Sequence, residues 1–176
     1  MPKLRPTITV DELNQRSGEN LPGLMGVEML ELSEGSLNSQ MKLRKVHFAP
    51  NTYLHAASVI ALADTTCGYA TIAHLPEGAV SFTTIELKSN HLGTVRGEGA
   101  IICCTATAQH LGGNTQVWDA VVTDAATDKK IAIFRCTQMV LWPKKDARIS
   151  SQAFNTHTPQ HYAHSPDRPD RAARRA

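Results

Sequence analysis

Apolar and polar side chains alternate with a period of two along several segments of this chain, which is the pattern of a β-strand with one buried face. The clearest case is the segment 37–44, in which Leu37 and Met41 fall on one side of an extended chain and polar residues on the other. The preceding segment, 24–32, is predicted to be its hairpin partner across a turn at Ser33–Gly35. Four later segments with β-branched residues, separated by turn-forming residues, complete the predicted strands: 79–88, 95–108, 115–123 and 131–142.

The segment between the second and third predicted strands has a different pattern. Residues 54–74 are rich in Ala, Leu and Ile and do not alternate, and a segment of this length makes about five turns of α-helix. Asn51 or Thr52 could cap the start of this helix, and Pro76 and Gly78 would end it. The predicted order is therefore β-β-α-β-β-β-β, an α+β fold in which an antiparallel sheet wraps one long central helix.

Composition and charge define the extent of the folded unit. The chain has 176 residues and a net charge of +2, so we expect a single domain of ordinary size, which we place at residues 21–146. Residues 1–20 are expected to form an N-terminal arm with one short helix near residues 10–16. Residues 147–176 are rich in Pro, charged and small side chains, and are expected to be a disordered tail.

The same features exclude several classes of partner. The net charge is too small to indicate nucleic-acid binding, and no apolar run approaches the ~18 residues of a membrane span. The N-terminus lacks the apolar run of a signal peptide, and the four cysteines show no C-x-x-C spacing, so neither a metal site nor a disulfide framework is indicated. We therefore expect a cytoplasmic protein with reduced thiols that binds neither membranes nor nucleic acid.

One acidic residue is isolated within the predicted helix. Between Val46 and Pro76 the single Asp, Glu, Lys or Arg is Asp64. Because the helix is apolar nearly all round, it is predicted to be buried on all sides. Burying an ionised carboxylate without a partner is strongly unfavourable. Asp64 is therefore either a functional carboxylate or a residue at the helix edge that reaches solvent or the hydroxyl of Thr65.

His55 opens the same helix, nine residues before Asp64. At 3.6 residues per turn, the two side chains lie half a revolution and about 13 Å apart along the axis, so within one chain they cannot meet on one small group. Two copies of the helix placed side by side would bring one chain's Asp64 to the other's helix start. The backbone N–H groups of Ala56 and Ala57 are exposed there and could hold a carbonyl oxygen on which negative charge develops.

The segment 51–70 resembles the "HGG…LAD" helix of the hotdog-fold thioesterases, and the phenylacetyl-CoA and 4-hydroxybenzoyl-CoA thioesterases are the most similar in kind. The segments 86–91 and 110–118 and the order of the predicted elements agree with the same family. The resemblance covers residues 23–142, and it implies a hotdog fold.

The resemblance also implies hydrolysis of an acyl-CoA thioester at a site that two subunits share. His55 and the N–H of Ala56 would bind the thioester carbonyl, and Asp64 of the other subunit would activate water or attack directly. A homodimer or a dimer of dimers is implied, with no metal and no cofactor beyond the coenzyme A of the substrate. Two positions depart from the family pattern: Ala56–Ala57 replaces two glycines, and Gly68 stands where some relatives carry Ser or Thr.

Eight further residues are candidates for substrate binding: Asn51, Ala57, Thr65, Asn90, His91, Gly112, Gly113 and Asn114. The last five are expected to contact coenzyme A, because backbone amides in glycine-containing turns can approach phosphate oxygens. Two other functions stay open. A hotdog dehydratase or hydratase is suggested by the segment 47–50, and a non-catalytic acyl-CoA-binding protein by Ala56–Ala57. The sequence identifies neither the acyl group nor the choice between coenzyme A and acyl carrier protein.

Overall fold

The computed structural model describes residues 3–144, so the tail predicted at 147–176 lies outside the described residues. The described chain forms three α-helices and six strands: α1 (Val10–Ser17), α2 (Leu21–Met25), β1 (Val27–Ser33), β2 (Ser36–Lys42), α3 (Ala56–Ala73), β3 (Ser81–His91), β4 (Ile101–Leu111), β5 (Thr115–Asp124) and β6 (Lys130–Leu141). A 3₁₀ turn at Lys45–His47 lies between β2 and α3. From β1 onwards the order is β-β-α-β-β-β-β, as predicted.

The six strands of the described chain form one antiparallel sheet in the order β1-β2-β4-β5-β6-β3. β3 therefore lies at one edge and pairs within this chain with β6 alone. The register of this pair places Thr84 opposite Gln138 and then shifts, which leaves Ile85 as the extra residue of a β-bulge. The free edge of β3 and its bulge lie beside the middle of α3, where Thr84 contacts Asp64.

The beginning of the first predicted strand is helical instead. Leu24 and Met25 belong to α2, and β1 begins at Val27. Pro22 lies in the first turn of α2, where its missing N–H is not needed. Gly26 ends the helix in the left-handed conformation, with a φ of 74°. The turn between β1 and β2 occurs where it was predicted, with Gly35 also at a positive φ.

The start of α3 is capped by a different residue from the two predicted. His55 is the N-cap, and its Nδ1 accepts the N–H of Ala57 at 3.0 Å. Asn51 instead accepts the N–H of Tyr53 on its Oδ1 at 3.3 Å, and Thr52 has a φ of 69°. Both residues therefore belong to the turn before the helix, and the prediction that one of them caps α3 was wrong.

The core lies between α3 and the inner face of the sheet, with Leu62, Leu37 and Trp118 among its fully buried side chains. Leu13 of α1 is also fully buried in this cluster. The N-terminal arm thus contributes to the same core.

Arg5 fastens the arm to the far end of the central helix. Its backbone N–H donates to the carbonyl of Ala73 at 2.8 Å, and its guanidinium donates to the carbonyls of Leu75 and Pro76 at 2.8 Å and 2.7 Å. A cation is favourable at a helix C-terminus because the last carbonyls there carry partial negative charge.

One side of α3 is not covered by the sheet. Ala57 is exposed, and Ala61, Asp64 and Thr65 are half-buried. The prediction of a helix buried on all sides was wrong for a single chain, because the sheet packs on one side of it. By length and composition alone α3 could span a membrane, but 56 % of it is buried inside the fold, as is usual for a core helix.

Candidate active site

The loop before α3 fixes the position of His55. The carbonyl of His47 accepts the backbone N–H of His55 at 2.9 Å and the hydroxyl of Ser58 at 3.0 Å. His47 itself is fully buried, and its Nδ1 accepts the N–H of Arg44 at 2.9 Å. The start of the helix is therefore held by the backbone carbonyl of a buried residue.

The capping bond of His55 also decides which of its ring nitrogens can donate. Because Nδ1 accepts the N–H of Ala57, the neutral imidazole carries its hydrogen on Nε2. The side chain is exposed, so this Nε2–H is available to a ligand.

A second donor lies beside His55. Among the first N–H groups of α3, that of Ala57 is taken by the imidazole and that of Ser58 by the carbonyl of His55 at 2.9 Å. The N–H of Ala56 remains for a ligand, and Ala56 is exposed. Two hydrogen-bond donors at the positive end of a helix can stabilise a carbonyl oxygen that becomes negatively charged.

Asp64 lies on the uncovered side of α3, close to a hydroxyl of the edge strand. The hydroxyl of Thr84 is 3.4 Å from Oδ1 of Asp64. Burial raises the pKa of the Asp64 carboxyl, and the Thr84 hydroxyl partly offsets this effect. A carboxylate with a raised pKa is a stronger base than one in water, which suits it to take a proton from a water molecule.

Sequence reasoning missed Thr84. The alternation of the predicted strand 79–88 places Thr84 on the same face as Phe82, which would have directed it towards the helix. It did not indicate which helix residue Thr84 would meet, because that depends on the register of β3 against β6 and on the position of the bulge.

Gly68 has a packing role at the position where some relatives carry a hydroxyl. A Cβ atom added there would lie 3.1 Å from the ring of Phe82, so the ring occupies the space that a side chain would need. The hydroxyl next to the acidic residue is therefore supplied from the sheet, by Thr84, rather than from the helix.

The other predicted residues divide between the two ends of the fold. Asn51 lies in the turn before His55, and Asn90 and His91 end β3 at the same end of the sheet. Thr65 follows Asp64 on the half-buried face of α3. The turn 112–114 lies at the opposite end, close to the C-terminus of α3, where Gly113 and Leu75 line one cavity of about 1140 Å³.

A smaller cavity lies near the helix start. It has a volume of about 500 Å³ and lies between the segment 45–52 and Gly97–Glu98. Arg96 stacks on the ring of Tyr53 at 4.6 Å and donates to its hydroxyl at 2.6 Å, which joins the loop after β3 to the loop before His55.

Two residues that could suggest other chemistry have structural surroundings. His47, part of the segment that suggested a dehydratase, is fully buried; burial and the nearby Arg44 lower its pKa. Cys67, close to Asp64 in sequence, is also fully buried, and its contact with Cys136 and its burial raise its pKa well above the ordinary value. Cys67 is therefore a neutral thiol in the core and not a nucleophile.

Comparison with known proteins finds relatives of this chain among thioesterases. The model of the family described as "Thioesterase superfamily" matches residues 51–131. A 1,4-dihydroxy-2-naphthoyl-CoA hydrolase of Listeria monocytogenes is 28 % identical over 121 residues, which are 69 % of this chain and 95 % of that protein.

Solved structures give the same result. A mutant thioesterase of Pseudomonas aeruginosa has a TM-score of 0.73 and 25 % identity, with 78 % of this chain and 97 % of that chain covered. A thioesterase of Haemophilus influenzae has a TM-score of 0.72 and 27 % identity, with 80 % and 95 % covered. This chain is therefore similar to proteins of the thioesterase superfamily, and its antiparallel sheet packed on one long helix is the hotdog fold.

Proposed function

We propose that this protein is an acyl-CoA thioesterase, which hydrolyses the thioester of an acyl- or aryl-CoA to a carboxylic acid and coenzyme A. The observation that carries this function is the pairing of two exposed donors at the start of α3, His55 Nε2–H and the N–H of Ala56, with a half-buried carboxylate on the open side of the same helix, Asp64. The CoA hydrolase of Listeria monocytogenes supports a CoA thioester as the substrate class.

The active site in this proposal is built by two copies of the chain. His55 and Asp64 lie nine residues apart on one helix, about 13 Å along its axis and half a turn around it, so one chain cannot bring both to one thioester. The uncovered side of α3 and the unpaired edge of β3 provide the surface for a second copy. Ile85 and Leu87 on that edge are 54 % and 42 % exposed, which favours a homodimer in which they are covered.

The reaction follows from the donors and the carboxylate. The thioester carbonyl oxygen accepts hydrogen bonds from His55 Nε2–H and the N–H of Ala56, while Asp64 of the partner subunit takes a proton from a water molecule. The water oxygen then attacks the carbonyl carbon, and the resulting oxyanion is stabilised by the two donors. When the intermediate collapses, the carbon–sulfur bond breaks, and the sulfur of coenzyme A takes up the proton from Asp64, which becomes a carboxylate again. The reaction needs no cofactor beyond the coenzyme A of the substrate.

The two alanines that replace the family's glycines are compatible with this role. Ala56 and Ala57 are both exposed, so their methyl groups leave the helix start open to solvent. Asn51, Asn90 and His91 lie at the same end of the fold and are proposed to contact the substrate there. The turn 112–114 lies at the other end and would reach only a site completed by the partner subunit. Four cysteines that remain unpaired thiols support a cytoplasmic location.

A panel of aromatic and aliphatic acyl-CoAs, assayed by release of the coenzyme A thiol, tests this function. We expect the purified protein to hydrolyse members of the panel and Asp64→Asn to lose at least about 100-fold in kcat/KM, because an amide cannot accept the proton. Asp128→Asn is the matched control, since Asp128 lies in the β5–β6 turn at a φ of 56° that Asn tolerates. A wild-type protein that turns over no member of the panel, or an Asp64→Asn variant with normal kcat/KM, would contradict the proposal.

A further inference from the structure

A line of polar side chains runs from Asp64 into the core. The hydroxyl of Thr84 lies 3.4 Å from Oδ1 of Asp64 and 2.9 Å from Oε1 of Gln138 on β6. Gln138 is fully buried, and its Nε2 lies 3.2 Å from the sulfur of Cys136. Asp64 is thus connected through one hydroxyl to a buried amide that does not touch it.

The Thr84 hydroxyl has one hydrogen and two possible acceptors. A hydroxyl can donate one hydrogen bond at a time, so Asp64 and Gln138 compete for it. The contact with Gln138 is the shorter by half an ångström and the one at an ordinary O–H···O length. The sulfur of Cys136 accepts the Nε2–H of Gln138, which keeps Oε1 turned towards Thr84.

Within the described residues, the Cys67 thiol interacts electrostatically with Asp64, and it interacts in turn with the thiols of Cys136 and Cys104. Cys67 lies one turn further along α3, Cys136 on β6 touches Gln138, and Cys104 on β4 packs in the same core cluster. Burial raises the pKa of Cys104 to about 12, and the pKa of Cys67 is also well above the ordinary value, so both are neutral. Within the described part of the chain, burial and the Thr84 hydroxyl are what shift the pKa of Asp64. Any change in the direction of that hydroxyl therefore changes the pKa of the Asp64 carboxyl.

We propose that Gln138 is a positioning residue for Asp64. Gln138 competes with Asp64 for the single hydrogen of the Thr84 hydroxyl, and so limits how strongly this hydroxyl hydrogen-bonds to the Asp64 carboxylate. The carboxylate is then a better acceptor for a proton from water, because it is less strongly hydrogen-bonded by Thr84. The inference gives a role in the proposed hydrolysis to a residue in the core, and in this respect it rests on the proposed function.

The chain offers a matched control directly opposite Gln138. Gln116 on β5 is its partner in the register and is also fully buried. Its Nε2 donates to the carbonyl of His74 at 2.8 Å, and its Oε1 accepts the indole N–H of Trp118 at 3.2 Å. Gln116 therefore reproduces the burial and the size of Gln138 without a contact to Thr84 or Asp64.

The test is a carbon-13 NMR titration of the Asp64 carboxyl, which needs neither substrate nor activity. In Gln138→Met the Thr84 hydrogen is free for Asp64, so its pKa should fall by about half a pH unit, since hydrogen bonding to the charged form favours that form. Thr84→Val removes the hydroxyl, and the pKa should rise. Thr84→Ser should keep the wild-type pKa, and Gln116→Met should leave it unchanged.

Cys136→Ala is a second variant in case Gln138→Met does not fold. It removes the sulfur that accepts the Nε2–H of Gln138, so the Gln138 amide can turn away from Thr84. The pKa of Asp64 should then fall as in Gln138→Met.

In the pH profile of kcat/KM, the apparent pKa of the acid limb should shift in the same direction as the Asp64 pKa measured by NMR for each variant. A rise of the Asp64 pKa in Gln138→Met or Cys136→Ala, or a result equal to that of Gln116→Met, would overturn the inference. If the NMR shifts are found but no acyl-CoA is hydrolysed, the competition for the hydroxyl stands and the proposed function fails.

Discussion

At the scale of single residues, His55 caps the central helix with one ring nitrogen and leaves the other free for the proposed reaction. Its Nδ1 caps α3 by accepting the N–H of Ala57 at 3.0 Å, and the same bond leaves the hydrogen on the exposed Nε2. In the proposed reaction one ring nitrogen of His55 holds the helix start and the other binds the substrate, so the two roles should be separable by substitution.

Asn is a good N-cap, so His55→Asn should keep the melting temperature within a few degrees while kcat/KM falls about 100-fold, because the short amide cannot reproduce the Nε2–H donor. His55→Ala should lose the cap as well, with a loss of about 1 kcal/mol in the free energy of unfolding. Urea denaturation and the thiol-release assay measure the two effects. Equal stability of the Asn and Ala variants would show that the cap contributes little, and normal kcat/KM in His55→Asn would remove His55 from the reaction.

At the scale of elements, His74 joins the end of α3 to the β1–β2 turn. Its Nδ1 lies 2.8 Å from the carbonyl of Ala70, and its Nε2 accepts the N–H of Gly35 at 2.9 Å, so both nitrogens are satisfied in the neutral form. The ring is fully buried, and burial lowers its pKa; the Ala70 carbonyl and Glu34 act in the opposite direction. A proton on Nε2 would break the bond to Gly35.

The pH dependence of stability follows from this lowered pKa. The unfolded chain binds a proton at this His below about pH 6.5, whereas the folded chain does so only at lower pH, so unfolding becomes more favourable as the pH falls. The contribution of His74 to the free energy of unfolding should therefore be constant above about pH 7 and decline below about pH 6.5. His74→Gln should show a shallower decline in urea denaturation between pH 7 and pH 5. An unchanged slope would assign the decline to other groups, of which His47 is the first candidate, since its pKa is also lowered.

The free edge of β3 is the second feature at this scale with a direct test. A lysine in place of Ile85 would put a charge into the proposed interface, so Ile85→Lys should give a folded monomer with kcat/KM reduced at least about 10-fold. Leu24→Lys is the control, because Leu24 is 63 % exposed on α2, away from this edge. Light scattering after size-exclusion chromatography measures the assembly. A dimer that persists in Ile85→Lys at low protein concentration would place the interface elsewhere.

The strands and the central helix could be predicted because each depends on a local pattern. Alternation located β2, β5 and β6 to within a residue or two of the observed bounds. α2 was missed because Leu24 and Met25 are apolar in a short segment, where a helical turn and a strand give the same signal. The cap at His55 was missed because Asn and Thr are the commoner caps and both precede it closely.

The parts of the site that the sequence did not reveal depend on contacts between distant segments. His55, Ala56 and Asp64 were identified within one helix, where spacing alone defines their geometry. Thr84 and Gln138 are separated by 54 residues and meet through strand register and a bulge. Whether a half-buried residue such as Asp64 faces solvent or a second chain also depends on what covers the helix, and no local pattern determines that.

At the scale of the whole molecule, the proposed two-chain site predicts complementation. His55→Ala and Asp64→Asn, each strongly impaired alone, should recover activity when refolded together, because a mixed dimer has one site with both residues intact and one with neither. Random mixing at equal concentrations gives about half mixed dimers, so roughly a quarter of the wild-type activity should return. The wild-type protein, refolded in the same way, gives the reference activity. Absence of recovery, despite verified exchange of subunits, would mean that each chain builds its own site.

The position of β3 at the sheet edge has a further consequence for protein synthesis. A ribosome makes β3 before β4, β5 and β6, yet the strand that pairs with it in this chain is β6, the last of the described strands. During translation β3 therefore remains unpaired, with Ile85 exposed, while residues 92–129 are synthesised, because its partner β6 begins at residue 130. The hydroxyl beside Asp64 is fixed at the same late moment, since Thr84 meets Gln138 only then. A nascent chain stalled before residue 130 would have a complete α3 and an unpaired β3, and we expect chaperones to bind it.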